Sequence, residues 1–314
     1  MAVVASAGLL AFIAWKVEPV RLWEVLRQTR PAFVVLAFLS AGGGLLMVAC
    51  RWHWMLLLRG VADRWWDSVR TALIGYGLSM VLPGAVFADV AKSFQHARRH
   101  GRPFEELLLV CGLDRFAGML GLGVYGLLIA GVTLPLASPW IRWEAPRGAG
   151  RSLVGGILAA TVVGILIAVS ARRPRVRAAM ERGRQLVRDG WGALRDRPVL
   201  LVAAAGLSVL GNLLVAATLA LGLASVAPEP LPWGKVLWTL PVIGLAAAFP
   251  FTVAGAGARE GAAIALWSAC GIAAPVAVAA CLVTLSANLV WAAIGGLLLS
   301  TATAAPRHAP APRS

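Results

Sequence analysis

Phe249-Pro-Phe-Thr-Val-Ala-Gly-Ala-Gly-Ala-Arg-Glu-Gly261 interrupts a long apolar region of the chain. Pro250 lacks the amide hydrogen that a helix interior uses, so it kinks or ends a helix. Gly255, Gly257 and Gly261 admit turns and close backbone approach. Arg259 and Glu260 then put two charges among apolar neighbours. Charge at membrane depth is costly and is read as functional by default. An earlier stretch, Leu82-Pro-Gly-Ala-Val-Phe-Ala-Asp89, has the same character around Pro83 and Gly84. Gly84 to Asp89 and Gly255 to Glu260 share Gly, Ala and a carboxylate at their first, second and sixth positions. Two apolar segments interrupted by Gly and Pro in corresponding halves point to a transporter site.

Composition fits that reading. Of 314 residues, 59% are hydrophobic and 14% charged, against about 25% charged in a soluble domain. The chain is therefore expected to be an all-α polytopic membrane protein. Its net charge of +15 sits in short segments between apolar runs. That placement suits anionic lipid headgroups rather than nucleic acid. Cys50, Cys111, Cys270 and Cys281 are scattered singly, without metal-ligand spacing, and read as small apolar core residues. The histidines are equally dispersed. No metal, cofactor, nucleophile–base pair or nucleotide loop is expected.

Taken in order, residues 2–15 are apolar but shorter than the roughly 20 residues of a span. Residues 16–30 suggest an amphipathic interfacial turn or two. Residues 31–50 form a span with a Gly42-Gly43-Gly44 patch, and Arg51-Trp-His-Trp54 reads as a basic aromatic belt at its end. Residues 65–102 are the first broken segment. A long helix follows to about residue 134, with Glu105 and Glu106 in its first turn and Asp114-Arg115 near its middle. Residues 153–170 and 198–224 are spans, separated by a stretch with nine Arg at 172–197. Residues 235–272 are the second broken segment and 274–303 the last span.

The apolar parts on either side of Pro83 are too short for two independent spans, so a re-entrant helical hairpin is expected there and again around Pro250. The expectation is about six full spans plus two re-entrant hairpins, eight apolar segments in all. They form one transmembrane domain over 1–303, with inverted repeats at about 1–136 and 150–303 and a disordered cytoplasmic tail at 304–314. With both termini inside the cytoplasmic membrane, 19 Lys and Arg face the cytoplasm and 8 face outside. Threading each broken segment once instead gives 17 to 10, so the hairpin arrangement is preferred.

These residues resemble a family. Arg51-Trp52, Leu82-Pro83-Gly84 with Asp89 and Lys92, Asp114-Arg115, and Phe249-Pro250 with Gly255-Ala-Gly257-Ala-Arg259-Glu260-Gly261 are similar to the transmembrane region of lysylphosphatidylglycerol synthases, the flippase-like family. The resemblance covers nearly the whole chain, and the second motif is its more specific part. It implies a fold that moves lipids or lipid-linked groups between leaflets. In full-length synthases a soluble aminoacyl-transferase domain follows; here the sequence ends soon after the last span, so lysyl transfer is not expected to be inherited. Ala88 stands where the family usually has Gly, Lys92 where it often has Arg, and Asp114 where Glu is more usual.

The candidate substrate-binding or transport residues are Arg259, Glu260, Arg115, Asp114, Asp89 and Lys92. Each also has a plainer reading. Arg259 and Glu260 could be a structural pair; Asp89 and Lys92 could mark where a hairpin re-emerges; Arg115 could neutralise a carboxylate instead of meeting a lipid phosphate. Asn212, Asn288 and Ser286 read as interhelical contacts. Three functions compete: a lipid flippase-like transporter drawing anionic headgroups to Arg115 and Arg259, a non-catalytic membrane subunit supporting a glycosyltransferase or lipid-modifying partner, and a lipid-modifying transferase. Intramembrane charge in both broken segments favours the transporter.

Overall fold

The structure, a computed structural model, describes residues 19–61, 64–81, 85–137, 181, 188, 198–228, 230–247 and 258–304. The expectations for 2–15, 153–170, the 172–197 stretch as a whole and the tail lie outside these residues. So do Pro83, Gly84, Pro250, Gly255 and Gly257.

Among the described residues the regular structure is helical throughout. Four long helices are α2 (Pro31–Leu58), α5 (Phe104–Ala137), α6 (Pro198–Val226) and α10 (Ala274–Ala304). Each contains a stretch long and apolar enough to cross a membrane. At about 1.5 Å per residue, a 28-residue helix such as α2 reaches roughly 42 Å, more than the ~30 Å hydrocarbon layer. Leu39, Leu127, Val215 and Leu297 stand exposed on these helices, as suits helices whose outer surface meets lipid.

The long helices pack through small residues. The α2 and α6 helices run antiparallel, with Ser40 Oγ donating to the Leu214 carbonyl at 2.8 Å. Gly44 and Gly211 face each other: a Cβ on Gly44 would lie 3.6 Å from the Gly211 carbonyl oxygen, and one on Gly211 4.0 Å from that of Gly44. Such residues let backbones approach where lipid supplies no hydrophobic drive. Trp291 ties α10 to the pair by stacking on Phe38 at 4.9 Å and donating to its carbonyl at 3.0 Å.

The first broken segment forms α3 (Trp65–Val81) and α4 (Ala85–His100). They pair antiparallel: Asp67 meets Arg99 at 2.8 Å, Thr71 bonds His96 at 3.1 Å, and Gly75 lies against the Lys92 stem. The second forms α7 (Trp233–Val236), α8 (Thr239–Ala247) and α9 (Ala258–Ala269). Here Trp267 Nε1 donates to Thr239 Oγ1 at 2.9 Å, and Cys270 Sγ to the Lys235 carbonyl at 3.4 Å. Both α4 and α9 stop at a left-handed glycine, Gly101 (φ 63°) and Gly271 (φ 84°). The amide one residue on bonds back in the same register, Arg102 to Ala97 and Ile272 to Trp267, so each end is satisfied by a Schellman turn. Then α5 and α10 begin with the same spacing.

Helix α1 (Pro19–Arg27) packs Leu22, Val25 and Leu26 on the core and exposes Val20 and Trp23. That is the division expected of an interfacial helix.

Two expectations need correction. Arg51-Trp52 is no surface belt. The α2 helix continues unbroken to Leu58, Trp52 is fully buried and Arg51 nearly so. The apolar run Met55-Leu-Leu-Leu58 carries the helix onward, and a carboxylate from α5 neutralises the arginine. Gly261 does not turn the chain: it lies inside α9, and among the described residues a Cβ there would meet nothing within 4 Å.

Candidate functional site

The charged residues separate into three pairings, each set by helix geometry. On α5, Asp114 and Arg115 are adjacent, so about 100° of helical rotation separates them and each meets a different neighbour. Asp114 is buried and takes both arms of Arg51: Nε donates to Oδ1 at 2.7 Å and Nη2 to Oδ2 at 3.2 Å. Arg51 Nη1 also donates to Ser208 Oγ on α6 at 3.0 Å. Gly118, one turn beyond Asp114, leaves room for this guanidinium, since a Cβ there would lie 3.1 Å from Nη1. The clamp thus joins α2, α5 and α6.

Arg115 turns to α4 and donates from Nε to Asp89 Oδ2. Its side chain is 45% exposed. Asp89 also faces Lys92 one turn on, 3.7 Å from its ammonium. Lys92 is 4% exposed, and its Nζ lies 3.8 Å over the Trp52 ring. A desolvated cation gains there from the negative face of the indole.

In the first turn of α9, Arg259 donates from Nε (3.1 Å) and Nη2 (2.7 Å) to one oxygen of Glu260, Oε1. Both residues are buried. The amides at a helix start favour the carboxylate and disfavour the guanidinium. Glu260 is therefore what makes Arg259 tolerable at this depth.

A cavity of about 370 Å³ connects two of the three pairings. Asp89, Lys92, Arg115 and Arg259 all line it, beside Tyr76, Asn212, Thr284 and Asn288. Of the residues singled out from the sequence, these four charges are brought together. Asp114 and Glu260 are not among the described lining residues; each holds an arginine from behind. Asn212 and Ser286 bond back to their own helices, to the carbonyls of Ser208 and Val283, rather than across to others. Among the described residues, no group of three His, Cys, Asp or Glu is placed to hold a metal.

A sequence model described as "Lysylphosphatidylglycerol synthase TM region" matches residues 1–296. The chain belongs to this family. No curated protein matches it. As a member of the lysylphosphatidylglycerol synthase TM region family with several membrane-crossing helices, it is a multi-pass membrane protein. Six of the residues that carried the family resemblance fall into two adjoining clusters. Arg51 and Asp114 form one cluster, and Trp52, Asp89, Lys92 and Arg115 the next.

Sequence reasoning missed Trp52 as the seat of a buried cation, Tyr76 as a lining residue, and Ser208 as the third member of the Arg51 clamp. Arg51 had a readable signal: six of the seven residues that follow it before the helix ends are apolar, so it lies inside the run and not at its edge. Tyr76 and Ser208 carry no comparable mark in an otherwise apolar helix.

Proposed function

We propose that the protein is a lipid flippase-like transporter carrying a phospholipid or lipid-linked headgroup between the leaflets. The observation that carries this is the convergence of Asp89, Lys92, Arg115 and Arg259, from both broken segments and α5, on one cavity. Its ~370 Å³ lies in the range of small-molecule sites, suited to a headgroup with its acyl chains left in the bilayer. Charge at membrane depth in a transporter marks the substrate path.

The transport cycle would rest on two inverted repeats within a single domain over 1–303, with about six spans and two re-entrant hairpins, and with both termini in the cytoplasm. Several features support that plan. The α3–α4 and α8–α9 pairs are each antiparallel and each bonded to a threonine, Thr71 or Thr239. They end in the same Schellman register at Gly101 and Gly271, and Gly44 and Gly211 contact reciprocally. With Arg51 and Lys92 buried inside the bundle, the remaining 17 to 8 distribution of Lys and Arg supports the orientation.

In this reading a lipid phosphate takes the place of the carboxylate at Arg259, so that guanidinium stays paired in each state. Arg259→Lys keeps the charge and loses the fork that bonds Glu260 and a phosphate together. The test is a headgroup-accessibility assay in proteoliposomes with equal amounts of folded protein. Arg259→Lys should lose most transport, Arg259→Ala should lose transport and some stability, and Arg177→Ala, one of nine Arg in residues 172–197, should change little. Wild-type transport by Arg259→Lys would refute the role given to the guanidinium.

A further inference from the structure

Charge in the cavity is not balanced. Its described lining carries three cations, Lys92, Arg115 and Arg259, and one carboxylate, Asp89. Glu260 neutralises Arg259 from behind. Asp89 is then left to serve both Lys92 and Arg115, and one positive charge has no counterpart among the described residues.

Hydrogen bonding leaves the same gap. Lys92 carries three N–H donors on a residue that is 4% exposed. Its closest described charge partner, Asp89 at 3.7 Å, lies beyond hydrogen-bond reach, and the Trp52 face offers no lone pair. Among the described residues the ammonium makes no hydrogen bond, yet it belongs to the lining of a cavity. A buried charge without acceptors is strongly penalised. Arg115 is likewise committed through Nε alone, and Nη1 and Nη2 carry no bond to a described residue. An acceptor-rich anion between these two side chains would satisfy both.

Building on the lipid-transport reading, we propose that the headgroup this cavity selects is an anionic one: a phosphate oxyanion with no cationic group to balance it, seated between Lys92 and Arg115. Asp89 yields part of its cations when the phosphate enters. The surplus positive charge disfavours a headgroup bearing an amine, because that amine would add a cation where one already lacks a partner. Selection therefore runs against zwitterionic and aminoacylated lipids. This would give the site a negative-charge specificity, opposite to that of a carrier for lysine-modified lipid.

The experiment measures binding, not transport, on the full chain purified in detergent. The probes are short-chain phosphatidylglycerol, phosphatidylcholine, lysylphosphatidylglycerol and inorganic phosphate, each titrated separately. Phosphatidylglycerol should bind at least about tenfold more tightly than either amine-bearing lipid, the scale of one lost charge-assisted hydrogen bond. Inorganic phosphate should compete only weakly, since it lacks the acyl chains that hold a lipid at the site. Lys92→Gln should lower phosphatidylglycerol affinity about tenfold. Asp89→Asn should raise it, because two cations lose their resident anion; a carboxylate with a merely structural role would not produce a gain. Wild-type protein that binds phosphatidylcholine or lysylphosphatidylglycerol as tightly as phosphatidylglycerol would overturn the proposal, whatever the variants do. Inorganic phosphate binding as tightly as the lipid would make this a free-anion site and overturn the lipid assignment. Selective binding without translocation would refute transport and leave this inference standing; translocation without selectivity would do the reverse.

Discussion

Removing the carboxylate of Asp114 should be among the most damaging single changes in the described helices. Asp114→Ala deletes both bonds that Arg51 makes to it, at 2.7 and 3.2 Å. Arg51, 8% exposed, keeps only Ser208 Oγ among its described side-chain partners. Stranding one half of a buried ion pair costs about 3–5 kcal/mol, a large part of the ~5–15 kcal/mol that holds a typical domain together. Replacing both halves by apolar side chains of similar volume is often neutral or stabilising. The double variant Arg51→Met/Asp114→Leu should therefore regain about 3 kcal/mol or more relative to Asp114→Ala. Unfolding in mixed micelles, followed by helical circular dichroism against added sodium dodecyl sulfate, compares wild type, Asp114→Ala and the double variant. If the double variant is no more stable than Asp114→Ala, the clamp is not what Asp114 supplies, and the assignment of Arg51 to it is wrong.

Other expectations follow from the same geometry. Gly77→Ala should destabilise by about 1–3 kcal/mol, because a Cβ there would sit 2.8 Å from the Ala292 carbonyl and 3.0 Å from the Gly296 amide, backbone atoms that cannot swing aside. Gly261→Ala should be neutral or stabilising by up to about 1 kcal/mol, since the site is helical and no described residue lies within 4 Å of the added carbon; the two melting temperatures, read side by side, check both. Trp267→Phe should cost about 0.5–1.5 kcal/mol in the same unfolding assay, as it removes the bond to Thr239 that ties α9 to α8. Reporter tags after Arg98 and within residues 172–197 should both read as cytoplasmic and one near Trp143 as external; Arg98 and the 172–197 stretch on opposite faces would refute the paired re-entrant arrangement.

How far the site was legible depended on the kind of signal each residue sends. Arg259 and Glu260 stood out because two charges in an apolar run are improbable without a reason, and they are bonded to each other as a structural pair would be. Asp89 and Lys92, three residues apart on a helix, had to share a face, and they do. Arg51 was misread as an anchor because a charge beside two tryptophans is also what a membrane surface looks like. Hydropathy records what surrounds a residue along the chain, and Arg51's partner lies 63 residues away.

That distinction marks out what the sequence by itself determined: helices long and apolar enough to cross a membrane, two places where Pro and Gly interrupt the apolar sequence, and the charges beside those interruptions. Local chemistry suffices for these, because a backbone in lipid must satisfy its own hydrogen bonds and a helix does so within itself. Tertiary structure alone decided how the charges are shared. Asp114 goes to Arg51 and Asp89 to Arg115, although Asp114 is Arg115's neighbour in the chain. The reason is rotational. On α5, Asp114 and Arg115 look in directions about 100° apart, so the helix that crosses each face, and not the order of residues along the chain, chooses their partners; at the start of α9 the long Arg259 and Glu260 side chains span that angle and bond each other.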